Sequence, residues 1–450
     1  MALSKKVQGL SPPQKILLSF LLLILAGTAL LLLPVSTMRG ISFIDALFTS
    51  TSAVCVTGLI VLDTAVDFTM VGQAVILLLI QLGAFGIITF SIAIVSMIGG
   101  SLSISWRFAF DRVYGGLERI PMGSLLKRIV IYTLTIEIIV AIILFARFYP
   151  VYGTGMGAWH AIFHSVSAFC NAGFSTFSTS LVEFRGDYVV ILAVAVAIIL
   201  GGLGFMVLAE LTWALRKGPR RLWRLVSIHA RFVIIISLIL IMVGCGMFLA
   251  LEWNGSLVGM SVPHKLLNSL FQSVTCRTAG FNTLDIGSLR ENTLFMLIGL
   301  MFIGGSPGSI AGGIKTTTIG VIALLVINMF RGKRELTIWG RSVGRDVIER
   351  SATLVILAFL FISLSTFMMI TVSGFHGEQT FLSTLFEVTS AFGTVGLSTG
   401  MTPKTSPAGR LFMCLVMFVG RLGPLTLILA VSSRKKRAPV RYPEENIMVG

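Results

Sequence analysis

The chain has 450 residues, of which 55% are hydrophobic and only 12% charged. A soluble domain carries about a quarter charged residues, so the composition excludes a water-exposed globular fold and places the chain in lipid. A net charge of +16 raises a nucleic-acid reading, which its distribution along the chain argues against. Apolar runs near the spanning length of about 20 residues recur in order: Ile16 to Leu33, Val71 to Ile98, Ile129 to Phe148, Val189 to Leu215, Phe232 to Leu251, Leu294 to Phe330, Thr353 to Val372 and Leu411 to Val431. The first ends at Pro34 without a small-residue cleavage pattern and reads as a retained helix rather than a signal peptide.

The basic residues cluster in every second connection. Lys5, Lys6 and Lys15 precede the first run; then come Arg107, Arg112, Arg119, Lys127 and Arg128, then Arg216 to Arg231, then Arg331 to Arg350, and finally Arg434 to Arg441. These clusters hold 25 of the 35 Lys and Arg residues. Positive charge on alternate connections marks the cytoplasmic side. It predicts a multi-pass protein of the cytoplasmic membrane, with eight crossings and both termini in the cytoplasm. Cys55, Cys170, Cys245, Cys276 and Cys414 lie in or beside apolar segments without metal-ligand spacing, and read as small buried side chains.

Between paired runs, on the side poor in basic residues, four shorter segments resemble one another. They are Phe43 to Leu59, His160 to Phe174, Lys265 to Phe281 and Ser383 to Leu397. Each has a Phe, then small hydroxyl residues, then a Gly followed by Leu or Phe. The glycines Gly58, Gly173, Gly280 and Gly396 are 115, 107 and 116 residues apart, one per pair of runs. The third copy is one residue tighter: Phe271 lies nine before its Gly, whereas Phe48, Phe163 and Phe386 lie ten before theirs.

A fixed internal period governs the reading of the whole fold. It predicts an all-α integral membrane protein: eight transmembrane helices as four helix–pore helix–helix repeats around a pseudo-four-fold central pore. The repeats span 1–100, 101–218, 219–335 and 336–433, with a cytoplasmic tail at 434–450. Irregular backbone at membrane depth must face protein or water. A helix that stops halfway ends in free carbonyls with partial negative charge. Four such ends, each followed by a Gly-containing stretch, would present rings of carbonyl oxygens able to replace the water shell of potassium.

The sixth run is too long. Its 37 residues would extend about 55 Å as a straight helix, against a hydrocarbon core of about 30 Å. Its middle holds Gly304, Gly305, Ser306, Pro307, Gly308, Ser309, Gly312 and Gly313, then Lys315. Such a stretch disfavours continuous helix. Two half-helices joined by a loop are expected, the alternative being a glycine surface for close helix packing. The following Lys315-Thr316 does not make a phosphate-binding loop, because the Gly spacing is wrong. Only this run reads as strongly broken.

Arg421 lies within the last run. A cation at that depth needs water or a partner. It either has a functional role facing water or sits in a structural ion pair with Glu210 or another buried carboxylate. Asn171 either contributes its side chain to the carbonyl site or stabilises a turn. Asp45, Asp63, Asp67 and Glu387 either concentrate cations or cap and solvate. No catalytic constellation is present, which argues against an enzyme.

These residues resemble the Trk/Ktr/HKT superfamily of potassium transporters over essentially the whole chain, and most closely its Ktr membrane subunit (KtrB-like). The resemblance implies a selectivity filter of backbone carbonyls from Val54, Cys55, Val56, Thr57 and Gly58; Asn171, Ala172 and Gly173; Thr278, Ala279 and Gly280; and Thr394, Val395 and Gly396. It implies a gate formed by the loop residues named above with Lys315 and Arg421. It further implies a homodimer with the C-terminus at its interface, a cytosolic ring of nucleotide-binding RCK-type subunits (KtrA-like), and potassium as the transported ion with a part for sodium. No cofactor and no nucleic acid is implied. A transporter with alternating access predicts inverted repeats, whereas these repeats all run in one direction.

Overall fold

The computed structural model describes residues 12–98, 122–218, 220, 222–332, 335–373 and 380–423. The predicted basic positions Arg107, Arg112 and Arg119, the last run beyond Gly423, and the tail with its dimer contact lie outside the described residues.

The described structure is almost wholly helical. Helix α1 covers Pro12–Leu31, α2 Phe43–Val54, α3 Met70–Ile98, α4 Met122–Phe169, α5 Tyr188–Leu203, α6 Phe205–Lys217 and α7 Ile228–Glu252. Then follow α8 Val262–Thr275, α9 Glu291–Phe302, α10 Thr316–Phe330, α11 Arg345–Ser373, α12 Phe381–Gly393 and α13 Pro407–Leu422. Several starts are set by side chains that accept from otherwise unpaired N–H groups. Ser42 caps α2, Asp187 α5, Ser227 α7, Thr380 α12 and Ser406 α13.

The distribution of polarity is the reverse of a soluble protein's. Ile356, Phe359, Leu360, Leu364 and Phe367 stand exposed along one face of α11, while Thr49, Ser50, Thr51, Ser52 and Thr57 are buried around α2. A wide exposed apolar face of this kind needs lipid or a partner. Among the described residues, Ile129–Phe169, Ile228–Glu252 and Arg345–Val372 are long and apolar enough to cross a membrane, and the pair α5–α6 passes the same test as one bent span. The helices fit a multi-pass membrane protein.

Two expectations need correction. The sixth run is not the only broken one: α5 and α6 meet at 106° across Gly204. Gly204 sits at φ 91°, ψ 139°, a conformation open to glycine and costly for other residues. The second correction concerns the third run, which does not stop at Phe148. Helix continues to Pro150 and beyond, and Gly153, at φ 74° and ψ −175°, kinks it directly into the second short segment.

The short helices pack in a cycle. Within their own repeats, α2 packs on α1 and α3, and α8 on α7. Across repeats, α2 packs on α13, α4 on α3, α8 on α5 and α12 on α9. Every half-length segment therefore rests on the second run of the preceding repeat, and the fourth repeat closes onto the first. The side-chain contacts repeat too. Ser50 donates to Ile24 O at 2.7 Å, Ser165 to Glu137 O at 2.5 Å and Ser273 to Ile241 O at 2.8 Å. Each joins a short helix to the first run of its own repeat.

Candidate functional site

The four glycine stretches meet. A β-carbon on Gly58 would overlap the carbonyl oxygen of Ala172, one on Gly173 would reach that of Ala279, one on Gly280 that of Val395, and one on Gly396 that of Thr57. The order of approach is first to second, second to third, third to fourth and fourth to first, a closed ring. The glycines hold φ values of 87°, 71°, 79° and 92°, and the residues two before them are also left-handed: Val56 55°, Asn171 57°, Thr278 72° and Thr394 48°. Alternating left-handed residues turn successive carbonyls to one side, which an ordinary strand does not do. Non-glycine residues rarely hold such angles without support from their surroundings.

That support is visible behind the ring. Thr57 N donates to Ser52 O at 2.8 Å, Ala172 N to Ser167 O at 2.7 Å and Val395 N to Ser390 O at 2.8 Å. In the tighter third copy, Ala279 N reaches Thr275 O at 2.9 Å instead, one residue closer in sequence. The hydroxyls divide the copies into pairs. Ser52 and Ser390 accept from Gly58 N and Gly396 N, both at 3.1 Å, whereas Ser167 and Thr275 donate to Phe174 O and Phe281 O at 2.7 and 2.6 Å. Cys55, Cys170 and Val54 are fully buried in this layer. The Asn171 amide, with its nitrogen toward the carbonyls, donates to Ala168 O at 3.1 Å and Ile198 O at 3.2 Å; it braces the turn.

Among the described residues, no N–H or side chain donates to the carbonyls of Thr57, Ala172, Ala279 or Val395. Buried carbonyls are nearly always paired, so a ring of four unpaired ones is an electronegative site. At the C-terminal end of the stretches it opens into a cavity of about 280 Å³, lined by the four glycines with Asp63 and Asp285. Beyond the glycines the chain is clamped by the short helices. Glu387 accepts from Ser398 Oγ at 2.7 Å, Thr399 N at 2.8 Å and Thr402 Oγ1 at 2.5 Å. His164 bridges His160 O at 2.7 Å and Ser175 Oγ at 2.9 Å. Asp45 forms an ion pair with Arg410, joining the first and fourth repeats, and Asp67 accepts from Asp63 N at 2.7 Å. These three acidic residues therefore do structural work; Asp63 caps Ala65 N at 2.8 Å but also borders the cavity.

At the N-terminal end of the stretches lies the loop between α9 and α10. Gly304 N donates to Ile314 O at 2.8 Å and Thr316 N to Gly305 O at 3.0 Å, which folds the loop back on itself. Ser306 and Thr316 hydroxyls lie 3.1 Å apart, and Ser309 Oγ donates to Ser306 O at 2.6 Å. A β-carbon on Gly312 would overlap the Thr394 side chain, and one on Gly313 would lie 3.5 Å from Gly393 Cα. The loop therefore packs directly against the fourth glycine stretch. Lys315 Nζ donates to Ala311 O at 2.7 Å, and Arg421 donates to Ile310 O and, at 3.4 Å, to Gly83 O. Arg421 forms no pair with Glu210, whose carboxylate accepts from Ser227 N at 2.8 Å and Ser227 Oγ at 3.0 Å.

The sequence reading missed what anchors the loop from the side. Ser306 N donates to Gly202 O at 3.0 Å, Ile310 N to Gly201 O at 3.3 Å, and Phe205 N to Gly308 O at 3.1 Å. Pro307 O would lie 2.7 Å from a β-carbon on Gly204. The break between α5 and α6 frees the backbone groups that these bonds use. The triplet of glycines at Gly201, Gly202 and Gly204 was the available signal. Also missed was Arg277, a buried cation behind the third stretch.

Comparison with known proteins gives the family. The family model TrkH, described as cation transport protein, matches residues 12–438. Ktr system potassium uptake protein B of Bacillus subtilis is 38% identical over 445 residues, covering 98% of this chain and 97% of that protein. Potassium/sodium uptake protein NtpJ of Enterococcus hirae is 36% identical, covering 98% of each. The crystal structure of the potassium transporter TrkH from Vibrio parahaemolyticus superposes with a TM-score of 0.75 at 22% identity, over 94% of this chain and 86% of that one, a likeness of fold. A ring of unpaired carbonyls on four repeated segments, set in a helical membrane architecture and carried by a full-length match, identifies the chain as a KtrB-like member of the TrkH family of cation transport proteins.

Proposed function

We propose that this chain is a potassium uptake subunit that conducts the ion through one central pore with pseudo-four-fold symmetry. The reading takes α1, α3, the first part of α4, α5–α6, α7, α9–α10, α11 and α13 as eight crossings, and α2, the end of α4, α8 and α12 as pore helices. The carbonyls of the four glycine stretches are the selectivity filter. The observation that carries the reading is the closed cycle from Gly58 to Ala172, Gly173 to Ala279, Gly280 to Val395 and Gly396 to Thr57, with its carbonyl oxygens left for a dehydrated cation.

The loop 303–315 is the gate. It rests against Gly393 and Thr394 at the inner end of the filter. Lys315 and Arg421 hold it there and place positive charge in the ion's path. A cytosolic ring of nucleotide-binding subunits moves the loop, the working unit is a homodimer, and both termini are cytoplasmic. A membrane potential negative inside drives inward movement, worth about 2.3 kcal/mol per charge per 100 mV. The names of the relatives support potassium with a part for sodium.

The second broken span revives the alternating-access reading only superficially. The breaks fall in the second and third repeats, not at corresponding places of two halves, and the repeats share one direction. Rubidium flux into liposomes tests the proposal, with the cytosolic ring and sodium each present or absent. Potassium-competed uptake is expected. Purified, folded protein that passes no monovalent cation under any of these conditions would overturn it.

A further inference from the structure

Arg277 lies three residues before Gly280, where the other repeats carry Cys55, Cys170 and Gly393. Its side chain turns away from the ring toward α7. It is buried, with 9% exposure, and its guanidinium reaches only Ser237: the carbonyl at 3.4 Å and the hydroxyl at 3.3 Å. Its buried Nε–H has no partner. The described ion pairs are Arg147 with Asp187 and Arg410 with Asp45, so no carboxylate meets Arg277. An uncompensated buried cation is expensive.

Beside Arg277 is a cavity of about 20 Å³, between α5, α7, α8 and the loop. That is room for one guest of about the size of a water molecule. The donors and acceptors around it decide which guest. Arg277 Nε–H and the hydroxyl hydrogen of Ser237 are available donors. Two lining residues have carbonyls that already accept a backbone N–H: Gly202 O from Ser306 N and Gly305 O from Thr316 N, each at 3.0 Å. The remaining wall includes Ile198, Leu203, Ile241 and Val274. A water could accept from both donors but carries no charge to offset the guanidinium. An anion accepts from both and also neutralises the guanidinium.

We infer that the cavity at Arg277 and Ser237 is a binding site for a monovalent anion of halide size. Gly305 of the loop forms part of its wall, so an occupied site stiffens the seam between the loop and α5. The inference concerns an anion behind the ring and stands whether or not the ring conducts potassium.

Bromide is the probe. In crystals of the full-length protein grown with bromide in place of chloride, an anomalous peak is expected in the cavity beside Arg277 Nε. In detergent or nanodiscs, thermal unfolding of the wild type is expected to shift upward with bromide or chloride and not with gluconate, which exceeds the cavity. Ser237→Ala should weaken the halide effect several-fold, and Arg277→Gln should abolish it. If Arg277→Gln does not fold, Ser237→Ala and the anomalous map carry the test. A cavity without bromide density together with halide-insensitive unfolding would overturn the inference. So would a bromide peak that persists unchanged in Arg277→Gln.

Discussion

The guanidinium of Arg421 donates to the carbonyl oxygen of Ile310, tying the last described helix to the middle of the loop that interrupts the sixth apolar run. The two residues are 111 apart in sequence, so the contact belongs to the closed ring of repeats and to no local element. A charge-assisted hydrogen bond contributes about 1.5–3 kcal/mol, enough to change the population of a displaced loop by about tenfold to a hundredfold. Arg421→Gln is therefore expected to raise rubidium flux into vesicles by at least several-fold while leaving thermal unfolding close to wild type. Reduced flux with a large loss of stability would show instead that Arg421 serves mainly as a structural tie.

Deleting Gly304 to Gly313 removes the loop's contacts with both Thr394 and Gly202. Flux should rise further than in Arg421→Gln, and it should lose its dependence on the cytosolic ring. Correctly inserted protein with unchanged or abolished flux would refute the gate.

The ring glycines should differ in tolerance. An added β-carbon overlaps the facing carbonyl most deeply at Gly58 and Gly396, and less at Gly173, where Ala279 O would be 2.7 Å away. All four replacements also carry the cost of a left-handed backbone, about 1 kcal/mol or more. Potassium-over-sodium preference, measured by competition with rubidium uptake, should fall more for Gly58→Ala and Gly396→Ala than for Gly173→Ala. Equal preference in all three would mean that the carbonyl ring does not discriminate.

Glu387 secures the chain just beyond the fourth glycine through Ser398, Thr399 and Thr402. Glu387→Ala leaves buried Thr402 Oγ1 unmatched, at about 1–3 kcal/mol, and releases the half-buried Ser398 and Thr399. The melting temperature should drop by several degrees, and selectivity should fall with it. Glu387→Gln, which keeps one acceptor oxygen, should recover part of both. A wild-type melting temperature in the alanine variant would remove the clamp from the account.

Asp63 and Asp285 border the cavity at the C-terminal end of the glycine stretches. Their charge raises the local cation concentration, an effect that salt screens. The double substitution Asp63→Asn with Asp285→Asn should lower uptake at low potassium and low ionic strength, and matter little at high salt. A deficit independent of ionic strength would point to altered turns, since both carboxylates also cap nearby N–H groups, at Ala65 and Gly287.

Much was legible in the sequence because lipid imposes local rules. Scarce charge and the recurrence of Gly58, Gly173, Gly280 and Gly396 follow from the lipid environment and from backbone sterics, and each leaves its mark in contiguous residues. The glycine-rich interruption of the sixth run was readable for the same reason, since glycine and proline weaken helix wherever they stand. Tertiary structure alone decided the partners. The bend at Gly204 matters because its freed backbone groups meet Ser306, Gly308 and Ile310, and nothing near Gly204 in sequence announces that loop. Likewise it is the closure of the repeats that sets Ile310, and not Glu210, within reach of Arg421. Hydrogen bonds and charge act over a few ångströms of space, and in this chain the distances that count join residues a hundred or more positions apart.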